Sequence, residues 1–139
     1  VNVFFTRDLN AAVGADAPAL KRHFTEWQGL SDPCTHFEFG RTTPEKMPVW
    51  RDFDVLWHTH LTPPLNTPKY GDWLTKWNYS DPRFTRAKCN RLSDRLLFYA
   101  KHGGDWLLLT IADHTVFGSK WHQEKWADVA DRWVALRSK

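Results

Sequence analysis

Ser93-Asp-Arg-Leu-Leu-Phe-Tyr-Ala-Lys-His-Gly-Gly-Asp-Trp-Leu-Leu-Leu-Thr-Ile-Ala-Asp-His114 holds two apolar, aromatic-containing runs on either side of Gly103-Gly104. A glycine pair tolerates the positive φ that a two-residue hairpin turn demands, so the stretch reads as a β-hairpin. With the glycines as the turn, Leu96 faces Ile111, Phe98 faces Leu109 and Ala100 faces Leu107. These five large residues, Leu96, Phe98, Leu107, Leu109 and Ile111, are expected to be buried together. The opposite face then pairs Arg95 with Ala112, Leu97 with Thr110, Tyr99 with Leu108 and Lys101 with Trp106, and carries hydroxyls and charge. A slip of one residue destroys this sorting.

Working outward, Phe53, Val55, Trp57, Thr59 and Leu61 alternate with Asp54, Leu56, His58 and His60. This predicts a strand over 53–61 beside the hairpin, its first set inward. Val1 to Thr6 reads as a short first strand. Asp16 and Pro18 open a predicted helix near 17–28, with Leu20, Phe24 and Trp27 on one stripe and Gly29 as its stop. A second helix is expected near 122–137 from Trp126, Val129, Ala130, Trp133 and Leu136. Residues 31–51 read as irregular. Residues 62–90, with four prolines and no clean period, read as a long aromatic, basic loop. The expected fold class is α+β: a small antiparallel sheet packed against an N-terminal and a C-terminal helix, in a single domain over 1–139.

Charged residues at 25% and hydrophobics at 42% describe an ordinary globular protein, while nine tryptophans are an excess that suggests a binding surface. The net charge of +3 permits a polyanionic partner. It is concentrated: residues 69–91 carry six basic side chains against Asp72 and Asp81, a net of +4, leaving the rest at −1. No apolar run approaches the roughly 20 residues that cross a bilayer. With no basic, apolar leader at the start, the expectation is a cytoplasmic protein. Cys34 and Cys89 lack metal-type spacing, and two free thiols are the default expectation, a disulfide being the alternative.

Period-two alternation places His58 and His60 on one strand face, and Arg95, Tyr99, Lys101, Thr110 and His114 on one face of the hairpin. If the strands share a sheet, one face gathers imidazoles, a guanidinium, an ammonium and a phenol. Metal-free RNA cleavage calls for that inventory: a base for the 2′-hydroxyl, an acid for the leaving oxygen, cations for the phosphorane. The plain alternative is that these are surface and packing residues, with Lys101 on Trp106 as a cation–π pair. A metal site is disfavoured because at most three His converge, and no cofactor is expected. In the basic stretch, Trp73, Lys76, Trp77, Arg83, Arg86, Lys88 and Arg91 combine phosphate contacts with stacking surfaces for unpaired bases. The ordinary reading of the same residues is a self-packed surface loop.

His58-Thr59-His60-Leu61, Arg91-x-Ser93-Asp94-x-x-Leu97-x-Tyr99, Trp106-Leu107-Leu108-x-x-Ile111 and the amphipathic C-terminal helix together resemble the YafO-type toxins of bacterial type II toxin–antitoxin systems. Phe39-Gly40-Arg41 and Val3-Phe4-x-Thr6 also fit. The resemblance implies an mRNA interferase of the RelE/ParE superfamily that cuts mRNA on the ribosome and is silenced by a cognate antitoxin. His58, His60, Ser93, Asp94 and Tyr99 match the pattern, Asp94 with a structural role at the strand entrance. A non-catalytic module for single-stranded nucleic acid or protein, and a ParE-like gyrase poison, stand as alternatives.

Overall fold

A computed structural model describes residues 2–44, 56–78, 85–113 and 120–137. The elements in order are β1 (Val3–Phe5), α1 (Arg7–Val13), α2 (Ala17–Gln28), β2 (Phe39–Pro44), β3 (Leu56–Leu61), α3 (Pro68–Trp77), α4 (Thr85–Cys89), β4 (Leu96–His102), β5 (Asp105–Ala112) and α5 (Lys120–Arg137). The sheet runs β1-β5-β4-β3-β2. It is mixed, because β1 joins β5 in parallel while the other neighbours are antiparallel. The α+β class and the helices toward both ends of the chain are as the sequence predicts. Residues 53–55 of the expected strand, and His114, lie outside the described residues.

The hairpin turn is where the glycines place it, with Gly103 at φ 60° and Gly104 at φ 85°. The register holds from Lys101↔Trp106 to Tyr99↔Leu108, then shifts by one. Beyond the shift Phe98 meets Thr110, Leu97 meets Ile111 and Leu96 meets Ala112. The extra residue is Leu109, in a β-bulge that puts two residues opposite one. Its carbonyl accepts from the Thr6 hydroxyl at 2.7 Å, and that hydroxyl oxygen in turn accepts from Leu9 N–H at 3.1 Å to cap α1. The bulge therefore receives the start of the first helix.

The expectation of a polar second sheet face is corrected: both faces are cores. On one side Leu56, Leu96, Phe98, Ala100, Leu107 and Leu109 pack against Trp126, Ala127 and Ala130 of α5. On the other, Leu61, Leu97, Tyr99 and Leu108 pack with Leu9, Phe24, Trp27 and Phe39, and Ile111 joins this side because of the bulge. Phe24 is its hub, edge-to-face with Trp27, Phe39 and Tyr99 at centroid distances of 5.5, 5.9 and 5.2 Å. Such pairs add about 0.5–1.5 kcal/mol each beyond area burial.

The expected loop over 62–90 is also corrected. Thr67 caps α3 through its side chain, with Pro68 in the first turn, and α4 follows at Thr85–Cys89. Prolines that break periodicity inside a helix suit its first turn, and that is where Pro68 sits.

Candidate active site and nucleic-acid interface

Alternation along β3 sets His58 and His60 on one sheet face, their ring centroids 5.8 Å apart. His60 is 5% exposed. Its Nδ1 lies 2.7 Å from the Ser93 carbonyl oxygen and 3.0 Å from the Ser93 amide nitrogen. A protonated Nδ1 donates to the carbonyl and a bare one accepts from the amide, so the ring is anchored in either tautomer. His58 is half-buried, with Nε2 3.2 Å from Thr43 Oγ1 and its ring 5.5 Å from Phe98. The pair combines one buried, anchored imidazole with one that is half-buried.

The expected gathering of His58, His60, Arg95, Tyr99 and Lys101 on one face is corrected. His58 sits opposite Phe98 and His60 opposite Leu96, whereas Tyr99 sits opposite Trp57. The histidines thus share the α5 side of the sheet, and Tyr99 lies on the α2 side. Alternation sorts residues within a strand but does not say which set of the neighbouring strand lies alongside. Lys101 is exposed with Nζ 4.0 Å over the ring of Trp57 rather than Trp106. Tyr99 is buried, its hydroxyl 2.8 Å from Thr42 Oγ1, and burial pushes its pKa up to about 12, against a smaller opposing effect of that hydrogen bond. Arg95 is exposed and donates from Nη1 to the Thr62 carbonyl at 3.2 Å.

Tyr99 yields a pH prediction. Above about pH 10 the unfolded chain releases the phenol proton, whereas the folded chain keeps it until about pH 12. Stability from this group is therefore full below about pH 10 and falls by roughly 2–3 kcal/mol as pH rises through 12. Arg91, whose pKa is lowered, acts in the opposite sense over much of that range. Urea unfolding of the wild type and Tyr99→Phe at about pH 9 and pH 11.5 separates the two: the wild type should lose more stability than the variant.

The expected nucleic-acid surface divides into buried and accessible residues. Trp73 is fully buried and donates from Nε1 to the Phe37 carbonyl at 2.9 Å. Arg91 is also fully buried, between the rings of Trp73 and Trp77 at 4.6 and 4.9 Å. These two residues close the core against β2, so an RNA-facing role for them is corrected. Gly40 sits under them: an added Cβ would lie 2.2 Å from the Arg91 carbonyl oxygen and 2.7 Å from the Trp73 ring. The half-buried Lys76, Trp77 and Lys88 remain accessible, Lys76 beside Asp72 at 3.2 Å and Lys88 over Trp77 at 5.2 Å. Arg86 is on α4, and Arg83 lies outside the described residues. Asp94, at the strand entrance, pairs with Lys69 at 2.9 Å.

A cavity of about 460 Å³ opens between the α1–α2 layer and the end of the sheet. Leu20, Leu61 and Ile111 belong to its apolar part, and Asp16, His23, Glu38 and Arg95 contribute its ionisable groups. Thr62 organises two of these, donating its hydroxyl to Glu38 Oε2 at 2.7 Å while its carbonyl accepts from Arg95. Sequence reasoning missed Glu38 and His23. The Phe37–Phe39 alternation was the available signal, since it exposes the residue between them to the other side.

A family model described as "Toxin YafO, type II toxin-antitoxin system" matches residues 24–135, most of the chain. The chain belongs to the YafO toxin family. Both histidines, Glu38, Arg95 and the elements from β2 to β5 fall inside the match. No match is found among curated proteins or among solved structures. A YafO-family toxin of a type II system implies a cognate antitoxin as partner. Among the described residues, no helix of this YafO-family toxin is long and apolar enough to cross a membrane.

Two cysteines of this YafO-family toxin correct a further expectation. Cys34 and Cys89 are joined in a disulfide with Cα atoms 4.7 Å apart, rather than free. The bond ties the turn Pro33–Thr35 to the end of α4. Asp32 lies close enough to form a three-ligand cluster with the two sulfurs, but sulfurs spent in a disulfide are not thiolate ligands. The spacing of 55 residues gave no sign of this proximity.

Proposed function

We propose that this toxin is an endoribonuclease that cleaves mRNA, on the ribosome, by acid–base chemistry at His58 and His60. The observation that carries the reading is the imidazole pair: two rings 5.8 Å apart on one sheet face, one anchored and one half-exposed. In the reaction the base takes the 2′-hydroxyl proton and the 2′-oxygen bonds to the adjacent phosphorus. The bond from phosphorus to the 5′-oxygen breaks, and the acid protonates that oxygen. A 2′,3′-cyclic phosphate and a 5′-hydroxyl result. Histidine suits both duties because its unperturbed pKa lies near the working pH.

Inducing the toxin without its antitoxin and mapping the 5′ ends of cellular mRNA tests the reading. New 5′-hydroxyl ends are expected, and a 2′-deoxy substitution at a mapped site should block cleavage there. Arrested replication with intact mRNA would favour a gyrase poison instead. Intact mRNA with tight RNA binding would favour a non-catalytic module.

The accessible cations on α3 and α4 extend the interface. Each phosphate contact on a single strand contributes about −0.7 to the salt dependence of binding. Lys76→Ala/Lys88→Ala should therefore flatten the slope by about 1.4 in a salt titration of RNA or ribosome binding. Trp77→Ala should weaken binding by about 1–3 kcal/mol with the slope kept. An unchanged slope in the lysine variant would remove this surface from the interface.

A further inference from the structure

We propose that the cavity edged by Glu38 and Arg95 is a nucleotide-binding pocket that receives a guanine base of the RNA strand. The inference rests on the reading of the toxin as an RNA-cleaving enzyme and names the base that it holds.

The volume of about 460 Å³ falls in the range of small-ligand pockets, which run from about 300 to 1,000 Å³. Leu20, Leu61 and Ile111 offer an apolar surface for the face of a base. Glu38 presents a carboxylate, an acceptor with two oxygens and about four lone-pair sites. One oxygen already receives the Thr62 hydroxyl, which fixes the plane of the group. The backbone behind it is held twice: Glu38 N–H donates to His36 Nδ1 at 3.2 Å, and its carbonyl accepts from Thr62 N–H at 3.2 Å. A carboxylate held in this way accepts two adjacent N–H donors. Guanine offers that pair on its Watson–Crick edge, and adenine, cytosine and uracil do not.

Arg95 supplies the matching cation for phosphate, as a planar fork with five donors, one of them directed to Thr62. It also borders the neighbouring cavity of about 370 Å³, beside Lys69 and Pro63, so a strand leaving the pocket continues along charged surface. The pocket and the histidines lie on opposite sheet faces but meet at the sheet end. Ser93 joins them, with its backbone on His60 and its hydroxyl accepting from Arg95 N–H at 3.2 Å. A strand that bends round Leu61 and Thr62 passes from the pocket to His58 within a few nucleotides.

The test is titration of the full chain with GMP, AMP, CMP and UMP, followed by NMR or calorimetry. GMP should bind at least about 10-fold more tightly than the other three, as expected for a bidentate base contact. Glu38→Gln, close in shape, should erase that preference. Arg95→Ala should lower GMP to the affinity of guanosine while keeping the preference. Ala12→Trp, at the exposed rim of the cavity, should fill it and remove binding altogether. No saturable binding of any of the four, or a GMP preference retained in Glu38→Gln, overturns the proposal. So does a loss of antitoxin affinity in Glu38→Gln without nucleotide binding, which would make the cavity a protein-docking site. GMP binding in a toxin that leaves mRNA intact upholds the pocket and removes the nuclease reading. Cleavage with unchanged base preference in Glu38→Gln does the reverse.

Discussion

Arg91→Ala should destabilise the toxin by at least about 3 kcal/mol, because the guanidinium is a clamp rather than an RNA contact. Nε donates to the Lys88 carbonyl at 2.8 Å and Nη1 to that of Phe37 at 2.7 Å. Nη2 donates to His36 at 2.8 Å and Phe39 at 2.7 Å. Hydrogen bonds to a charged group contribute about 1.5–3 kcal/mol each, offset here by the cost of burying the charge. That cost lowers the Arg91 pKa to about 10, only partly countered by Glu38, so the group stays protonated at neutral pH. Alanine leaves carbonyls of two chain segments short of a donor and removes the cation between Trp73 and Trp77. Arg91→Lys keeps charge but not the fork, and should recover less than half of the loss. Urea unfolding of both variants decides the matter: a change below about 1 kcal/mol in Arg91→Ala would show that the clamp is dispensable. Gly40→Ala should fail as severely, since the obstructing Arg91 carbonyl is backbone and cannot swing aside.

The second large effect is on rate. His58→Ala should lower the cleavage rate by about 10²–10⁴-fold, or roughly 3–5 kcal/mol of activation free energy, with the fold retained. Retention is expected because His58 is half-buried and its contact with Thr43 is at the sheet edge. His60 needs a different substitution, since alanine would also strip Ser93 of its partner. His60→Asn keeps a side-chain donor and acceptor near Ser93 and should slow cleavage without unfolding. Tyr99→Phe is the contrasting control and should cleave normally, as the phenol lies on the other face. Undiminished cleavage in His58→Ala/His60→Asn, measured on ribosome-bound mRNA, would remove the imidazole pair from the chemistry.

What was legible in the chain follows from how local each cause is. Gly103-Gly104 set the turn and the first four residue pairs beyond it, and the Leu20–Phe24–Trp27 stripe set a helix over Ala17–Gln28. The bulge at Leu109 was not legible, because the group that holds it is Thr6, 103 residues away. The histidine face was half legible: alternation joined His58 to His60 but not to the correct set of β4. Arg91 and Trp73 look like part of an RNA surface by composition, yet both are fully buried, with the guanidinium over the Trp73 ring. Charge and aromaticity do not report burial.

The parallel pairing of β1 with β5 has a consequence for how the toxin comes into being. Val3 lies against Trp106, and the Asn2 carbonyl accepts from Trp106 N–H at 2.9 Å. At a synthesis rate of about 5–20 residues per second, roughly 5–20 seconds separate the emergence of these two partners. During that interval β1 has no β5 to pair with, and the bulge carbonyl that receives Thr6 at the start of α1 does not yet exist. A nascent chain is thus kept from its finished form until the hairpin has left the ribosome. A chain that ends before residue 106 has no partner for β1 and no carbonyl to receive Thr6.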